Sequence, residues 1–293
     1  MRVPAVLSIA GSDSGGGAGI QADLKAFARS GVHGMTAITA LTAQNTLAVE
    51  AVHPVPGDFI VAQVRAVAED IGVDAVKIGM LGTAETVFAV RDALEYVGDA
   101  PVVIDPVMVA ESGAVLLDEA ARVAIVDELL PRVTVLTPNV PEARVLAGID
   151  DPEADPETCV GSADGEPGDD VVDLARRLHA LGPQAVVVTG GHRDEATDVF
   201  FDGDAVHLIP GERHPDGAAH GSGCTHSSAL AAHLALGLPP LEAARAAKRI
   251  ASQAVADGIR DLGSGPGPVD VFALTRRASA GAENTRAAAR PLP

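Results

Sequence analysis

A chain of 293 residues holds one large domain or two small ones, and 47% hydrophobic content is enough for a sizeable core. A net charge of −19 with only 2% aromatics argues against a nucleic-acid partner, which needs basic patches and stacking rings. No apolar run approaches a membrane span and the start has no signal-peptide cleavage pattern, so a soluble, cytoplasmic protein with no membrane partner is expected.

The acidity has a particular flavour. Lys25, Lys77 and Lys248 are the only lysines, and arginine carries the remaining positive charge. Many carboxylates, few lysines and many alanines suggest a salt-adapted, halophilic protein, whose self-repulsion is screened at high ionic strength, with an ordinary acidic protein from a GC-rich genome as the alternative. The expected outcome is a Tm that rises with KCl into the molar range; an unchanged Tm between dilute buffer and molar KCl refutes salt adaptation. Cys159 and Cys224 make no disulfide framework.

Val3 to Ala10 reads as a buried strand, followed by Gly11-Ser-Asp-Ser-Gly-Gly-Gly-Ala-Gly19 and a helix from about Ile20 to Ser30. The loop is not a P-loop, because no lysine precedes Lys25, and Gly-x-Gly-x-x-Gly fails at Ile20. Five glycines in nine positions instead let the backbone approach a small ligand. Met35 to Leu41 is a second strand and leads to Gln44, whose amide pairs with a heterocycle edge or caps a surface turn. A helix over Asp58 to Ile71, a strand over Ala75 to Gly79 and a helix over Thr83 to Val97 follow.

Pro101 to Met108 is the clearest apolar strand, and it carries Asp105. In open parallel sheets ligands bind beyond the carboxyl ends of the strands, so Asp105 is placed for a metal or a proton, with a helix cap as the alternative. Leu117 to Leu130 reads as a helix and Val133 to Leu136 as a strand. In Thr137-Pro-Asn-Val-Pro-Glu142, Pro141 suits a first helical turn and puts Asn139 and Glu142 on one side of it. That pair either orders hydrated Mg2+ or forms a cap.

The stretch 149–170 is acidic and glycine- and proline-rich, and reads as a solvated insertion. A helix over Val171 to Leu181, a strand over Ala185 to Val188 and a hairpin joined by Asp202-Gly-Asp204 come next. Gly217-Ala-Ala-His-Gly-Ser-Gly-Cys-Thr225 then opens an alanine-rich helix with Ser222 or Thr225 as N-cap. The first amides of such a helix form an anion site, and Cys224 lies where a helix N-terminus lowers a thiol's pKa. Phosphoryl transfer suits this arrangement; a buried cysteine at an ordinary loop-to-helix junction stands level with it. A last helix spans Leu241 to Asp257. The alternation predicts a three-layer α/β fold with a predominantly parallel sheet, in one domain over 1–275 with a frayed tail over 276–293.

Together the motifs resemble the hydroxymethylpyrimidine/phosphomethylpyrimidine kinase family of thiamine biosynthesis, within the ribokinase-like fold. The matching segments are Ser8 to Lys25, Thr39 to Thr46, Val76 to Leu81, Val103 to Met108, Leu136 to Ala143, Thr189 to His192, His220 to Thr225 and Gly265 to Val269. The resemblance implies ATP and Mg2+ as cofactors, a small pyrimidine as substrate and a homodimer. It implies that Cys224 activates the substrate hydroxymethyl, standing where sugar kinases of this fold carry an Asp, and that Gly221, Ser222 and Gly223 form the anion hole. Gln44 would pair with the pyrimidine, with Gly11, Ala18, Asp23, Met80 and Val107 shaping its pocket. Asp105, Asn139 and Glu142 would hold Mg2+ or its waters, and Thr189 and Gly191 would meet the nucleotide. Thr189 stands where many members have Lys, so either another group, an Arg or the metal, serves the phosphates or turnover is slower. A pyridoxal or pyridoxine kinase and a pyrimidine-binding protein without catalysis are the competing readings.

Overall fold

The computed structural model describes residues 2–149, 169–190 and 196–277. The interior of the acidic stretch with Cys159, the Gly191–His192 pair and the tail beyond Arg277 lie outside the described residues. Among the described residues nine strands form one sheet in the order β3-β2-β1-β4-β5-β6-β7-β8-β9. The six central strands are parallel: β1 (Ala5–Ser12), β2 (His33–Gln44), β4 (Ala75–Ile78), β5 (Val102–Ile104), β6 (Val135–Leu136) and β7 (Ala185–Val188). β3 (Val49–Pro54) closes one edge antiparallel to β2. The β8 (Asp198–Phe201) and β9 (Val206–Ile209) hairpin closes the other, as its Asp-Gly-Asp turn predicts.

Strand alternation splits the core into two layers. Leu7, Ile9, Val76, Ile78 and Ile104 face α2 (Gly57–Asp70), α3 (Ala84–Ala93), α4 (Glu119–Ala124), α5 (Val140–Leu146) and α6 (Asp169–His179). Val6, Ala75, Val103 and Val135 face α1 (Gly19–Ser30), α7 (Ser222–Ala235) and α8 (Pro240–Ala256). With few aromatics available, the second layer is built from small side chains, Ala229, Ala231 and Ala232 of α7 packing with Ala243, Ala244 and Ala247 of α8. Ser8 and Lys77, in register on β1 and β4, belong to this same layer and bring polar atoms beneath α7.

Two expectations change. The strand expected over Pro101 to Met108 is β5 alone; Pro106 has no N–H for a ladder, and 108–116 folds back through a Val109–Val115 bridge. The helix expected from Leu117 begins at Glu119, capped by the Asp118 carboxylate, and continues as a π turn over Ile125–Leu129. Among the described residues no helix is long and apolar enough to cross a membrane.

Candidate active site

Chain order reverses direction between β1 and β4, and a cavity of about 470 Å3 opens above their carboxyl ends. Gly11, Met80, Asp105, Thr137 and Thr189, from the ends of five parallel strands, line it. The N-terminus of α7 closes one side with Gly221, Ser222, Gly223 and Cys224, and Ala18, Gln44, Val107, Asn139 and Glu142 also reach it. Every expected site residue among the described ones is therefore here except Asp23.

Asp23 lies under the floor instead. It is fully buried, with its carboxylate accepting from Ser8 Oγ at 2.6 Å, Ser228 Oγ at 2.7 Å and Lys77 Nζ at 2.9 Å. Lys77 is itself fully buried and also lies 3.8 Å from Asp105 Oδ2. Burial alone would discharge this ammonium; Asp23, Cys224 and Asp105 outweigh it and hold its pKa above the usual lysine range. Lys77 is a site residue that sequence reasoning passed over.

The cap of α7 differs from expectation. Neither Ser222 nor Thr225 caps it; Gly221 does, at φ 82°, a conformation that favours glycine. A Cβ at Gly221 would also overlap the Gly17 carbonyl oxygen, so two glycine stretches far apart in sequence dock face to face. The Ser222 N–H donates to Ala219 O at 2.9 Å. The amides that the helix start leaves for an anion are therefore those of Gly223 and Cys224.

The expected lowering of the Cys224 pKa is reversed. Burial pushes the thiol up to about 12, with Asp105 and Asp23 adding to the rise. Lys77 and the Gly19 N–H pull the other way without prevailing. The helix terminus loses because the sulfur faces a low-dielectric floor with two carboxylates.

Asn139 and Glu142 form a reciprocal capping box on α5: Glu142 N–H donates to Asn139 Oδ1 at 2.8 Å, and Asn139 N–H to Glu142 Oε2 at 2.9 Å. The capping alternative is thus real, yet it does not account for the charge. Burial and then the Asp105 carboxylate push Glu142 up to about 8, against amide bonds from Asn139 and Met108. Burial also raises Asp105, which accepts from Ser227 Oγ at 3.2 Å. Among the described residues no three His, Cys, Asp or Glu side chains gather closely enough to hold a metal. Two mutually repelling carboxylates do fit a hydrated hard cation such as Mg2+, which keeps waters and takes one or two carboxylates.

At the Thr189 end, three elements deliver a second cluster. Asp198 Oδ1 accepts from Gly190 N–H at 2.9 Å and Lys248 Nζ at 2.6 Å. Asp198 Oδ2 and both ring nitrogens of His226 are buried in the cavity wall without a hydrogen-bond partner. Burial lowers the His226 pKa, so the ring is neutral. Lys77 and Lys248 line the cavity, whereas the third lysine, Lys25, is exposed and donates to Gly16 O of the glycine loop at 2.6 Å. Lysine scarcity was the sequence signal that could have found Lys77 and Lys248.

A parallel sheet with antiparallel edges, and a glycine-capped helix aimed over its carboxyl ends, define a ribokinase-like protein. The phosphomethylpyrimidine kinase family pattern matches residues 13–270, and the chain belongs to that family. It is 47% identical over 272 residues to the hydroxymethylpyrimidine/phosphomethylpyrimidine kinase of Rhizobium meliloti (strain 1021), covering 91% of this chain and 96% of the relative. Among solved structures, the pyridoxal kinase of Staphylococcus aureus in complex with AMP-PCP and pyridoxal superposes with a TM-score of 0.80 at 33% identity, over 94% of this chain and 96% of that one. The phosphomethylpyrimidine kinase of Clostridium difficile 630 gives 0.69 at 36% identity, over 85% and 97%.

Proposed function

We propose that this chain transfers the γ-phosphoryl of ATP to the hydroxymethyl group of 4-amino-5-hydroxymethyl-2-methylpyrimidine, and then phosphorylates the monophosphate to the diphosphate, in thiamine biosynthesis. The observation that carries this is one cavity joining a glycine-rich loop and Gln44 at one end, free α7 amides beside Cys224 in the middle, and an acid pair opposite. The amides of Gly223 and Cys224 would stabilise the transferred phosphoryl oxygens, and fixed dipoles of this kind need no reorganisation during reaction. Gln44 would pair with the ring. Met80 packs on Gly11 and would support the ring's face. Nucleotide would enter at Thr189, where Lys248 supplies the phosphate charge that threonine cannot. Mg2+ on Asp105 and Glu142 would offset phosphoryl charge. A non-catalytic binding protein would have no use for Cys224, Asp105 and Glu142 in one cavity. Incubation with ATP and the hydroxymethylpyrimidine, followed by 31P NMR, is expected to show a monoester and then a pyrophosphate ester. ATP left intact in the presence of the pyrimidine would sink the proposal.

Glu142 gives a test of the cation site. A carboxyl raised in the folded state stabilises the protein when protonated; that stability is full below its ordinary value of 4.5 and lost as pH passes about 8. Metal-free protein is therefore expected to melt lower as pH rises through this window. Glu142→Gln keeps the capping box, since Gln serves at the third helical position as Glu does. It should flatten the pH slope, weaken Mg2+ dependence and lower kcat, with pyrimidine affinity nearly intact. A variant with the wild-type slope, or one that unfolds while its kinetics stay normal, leaves Glu142 as a cap only.

A further inference from the structure

Three parts of this sequence have no chemistry assigned above: Asp13 in the first glycine loop, His220 before the helix cap, and Gly265-Pro-Gly-Pro-Val269. The structure joins them. Asp13 Oδ2 accepts from Gly17 N–H at 2.9 Å and Ala18 N–H at 2.8 Å, and Oδ1 from Gly15 N–H at 2.8 Å. Burial would raise this carboxyl, but the bonds from His220, Ala18 and Gly15 leave it below its usual range. An ionised carboxylate only accepts, so His220 Nε2, 3.3 Å from Oδ2, carries the proton. The His220 backbone is pinned in turn: its N–H donates to Gly267 O at 3.3 Å, and its C=O accepts from Val269 N–H at 3.1 Å. The same segment returns to the loop's far side, where Thr46 Oγ1 accepts from Ser264 and Gly265 N–H at 3.2 Å.

We propose that Asp13 and His220 are a positioning pair that clasps the glycine-rich loop onto the start of α7, so that the wall meeting the pyrimidine and the amides meeting the phosphoryl form one rigid unit. His220 immediately precedes Gly221, whose backbone sets the direction of the Gly223 and Cys224 amides. At the loop's other end the Gly19 N–H reaches the Cys224 sulfur. A loosened loop therefore misplaces the pocket wall, further exposes the half-buried thiol and tilts the amides together. Positioning errors of this size cost rate more than binding, because they act where the reacting groups must align.

The inference rests on the kinase reading for its kinetic arm only. Asp13→Asn, His220→Leu and the double variant are compared by kcat, by pyrimidine KM and by the rate of Cys224 alkylation, followed by mass spectrometry of the Cys224 peptide. Each single variant is expected to lower kcat about tenfold or more, the scale of one charge-assisted bond, with KM changed less. Cys224 should alkylate faster in each. The double variant should be no worse than Asp13→Asn, which disturbs the loop amides as well, because His220→Leu removes only the contact the two residues share. His220→Gln, which keeps an N–H donor, should recover most of both properties. Alkylation at the wild-type rate in both single variants, additive losses in the double, or no recovery in His220→Gln overturns the pairing. Wild-type protein that turns over no pyrimidine would overturn the kinase reading while the alkylation arm still decides the clasp.

Discussion

Replacing Cys224 by serine is expected to lower kcat by about 10²- to 10⁴-fold, the usual worth of a positioned proton-transfer group, while pyrimidine KM stays within a few fold. Serine keeps the size and a hydrogen-bonding hydroxyl, and the α7 amides remain. What changes is the acid–base partner at the substrate hydroxymethyl. With its pKa pushed up to about 12, Cys224 rests as a thiol. It therefore accepts a substrate proton only as its own proton moves on, and Asp105, to which the thiol bonds, lies beside it with a carboxyl raised by burial. The same resting state predicts slow alkylation near neutral pH, accelerating about tenfold per pH unit because the thiolate is the nucleophile. Rapid alkylation at pH 7 would contradict a half-buried, uncharged thiol. A near-normal kcat in Cys224→Ser would leave catalysis to the amides and the cation alone.

Lys77→Met is expected to destabilise the fold by about 3–5 kcal/mol, the cost of breaking a buried ion pair from one side. That is a large share of the roughly 5–15 kcal/mol that holds an ordinary domain together. Methionine fills much of the space, so the loss is electrostatic. It leaves Asp23 with two hydroxyl donors and no cation, and Asp105 without the charge 3.8 Å away. Urea unfolding monitored by circular dichroism measures it. Pairing Lys77→Met with Asp23→Asn should recover part of the loss, since it removes the stranded charge as well. A Cm within experimental spread of wild type would show that Ser8 and Ser228 suffice to hold Asp23.

The central strands were legible because parallel strands covered on both faces read as continuous apolar runs. β3 was not: Val-Glu-Ala-Val-His-Pro is an exposed edge ribbon whose pairing depends on β2 rather than on burial. Asp105, Asn139, Glu142 and the Gly221–Cys224 turn lie within short local motifs, and local spacing placed the first three just beyond β5 and β6 and the last at the start of α7. Lys77 failed that kind of reading, because its partner Asp23 stands 54 positions away and only the folded sheet brings them together. Asp198, His226 and Lys248 come from three elements and carry no common motif. The Cys224 pKa failed for a different reason. The helix-terminus rule was sound, and burial over two carboxylates outweighed it.

The central claim is that this chain phosphorylates a hydroxymethylpyrimidine, and the contrast that tests it is the similar ring of pyridoxal, bound in the Staphylococcus aureus structure. The measurement that tests it most directly is kcat/KM for each ring under saturating ATP and Mg2+, by coupled ADP release on the same preparation. The account predicts at least about a hundredfold advantage for the pyrimidine, within the range that hydrogen-bond reading of a substrate edge by Gln44 supplies. Equal values, or an advantage for pyridoxal, would contradict it.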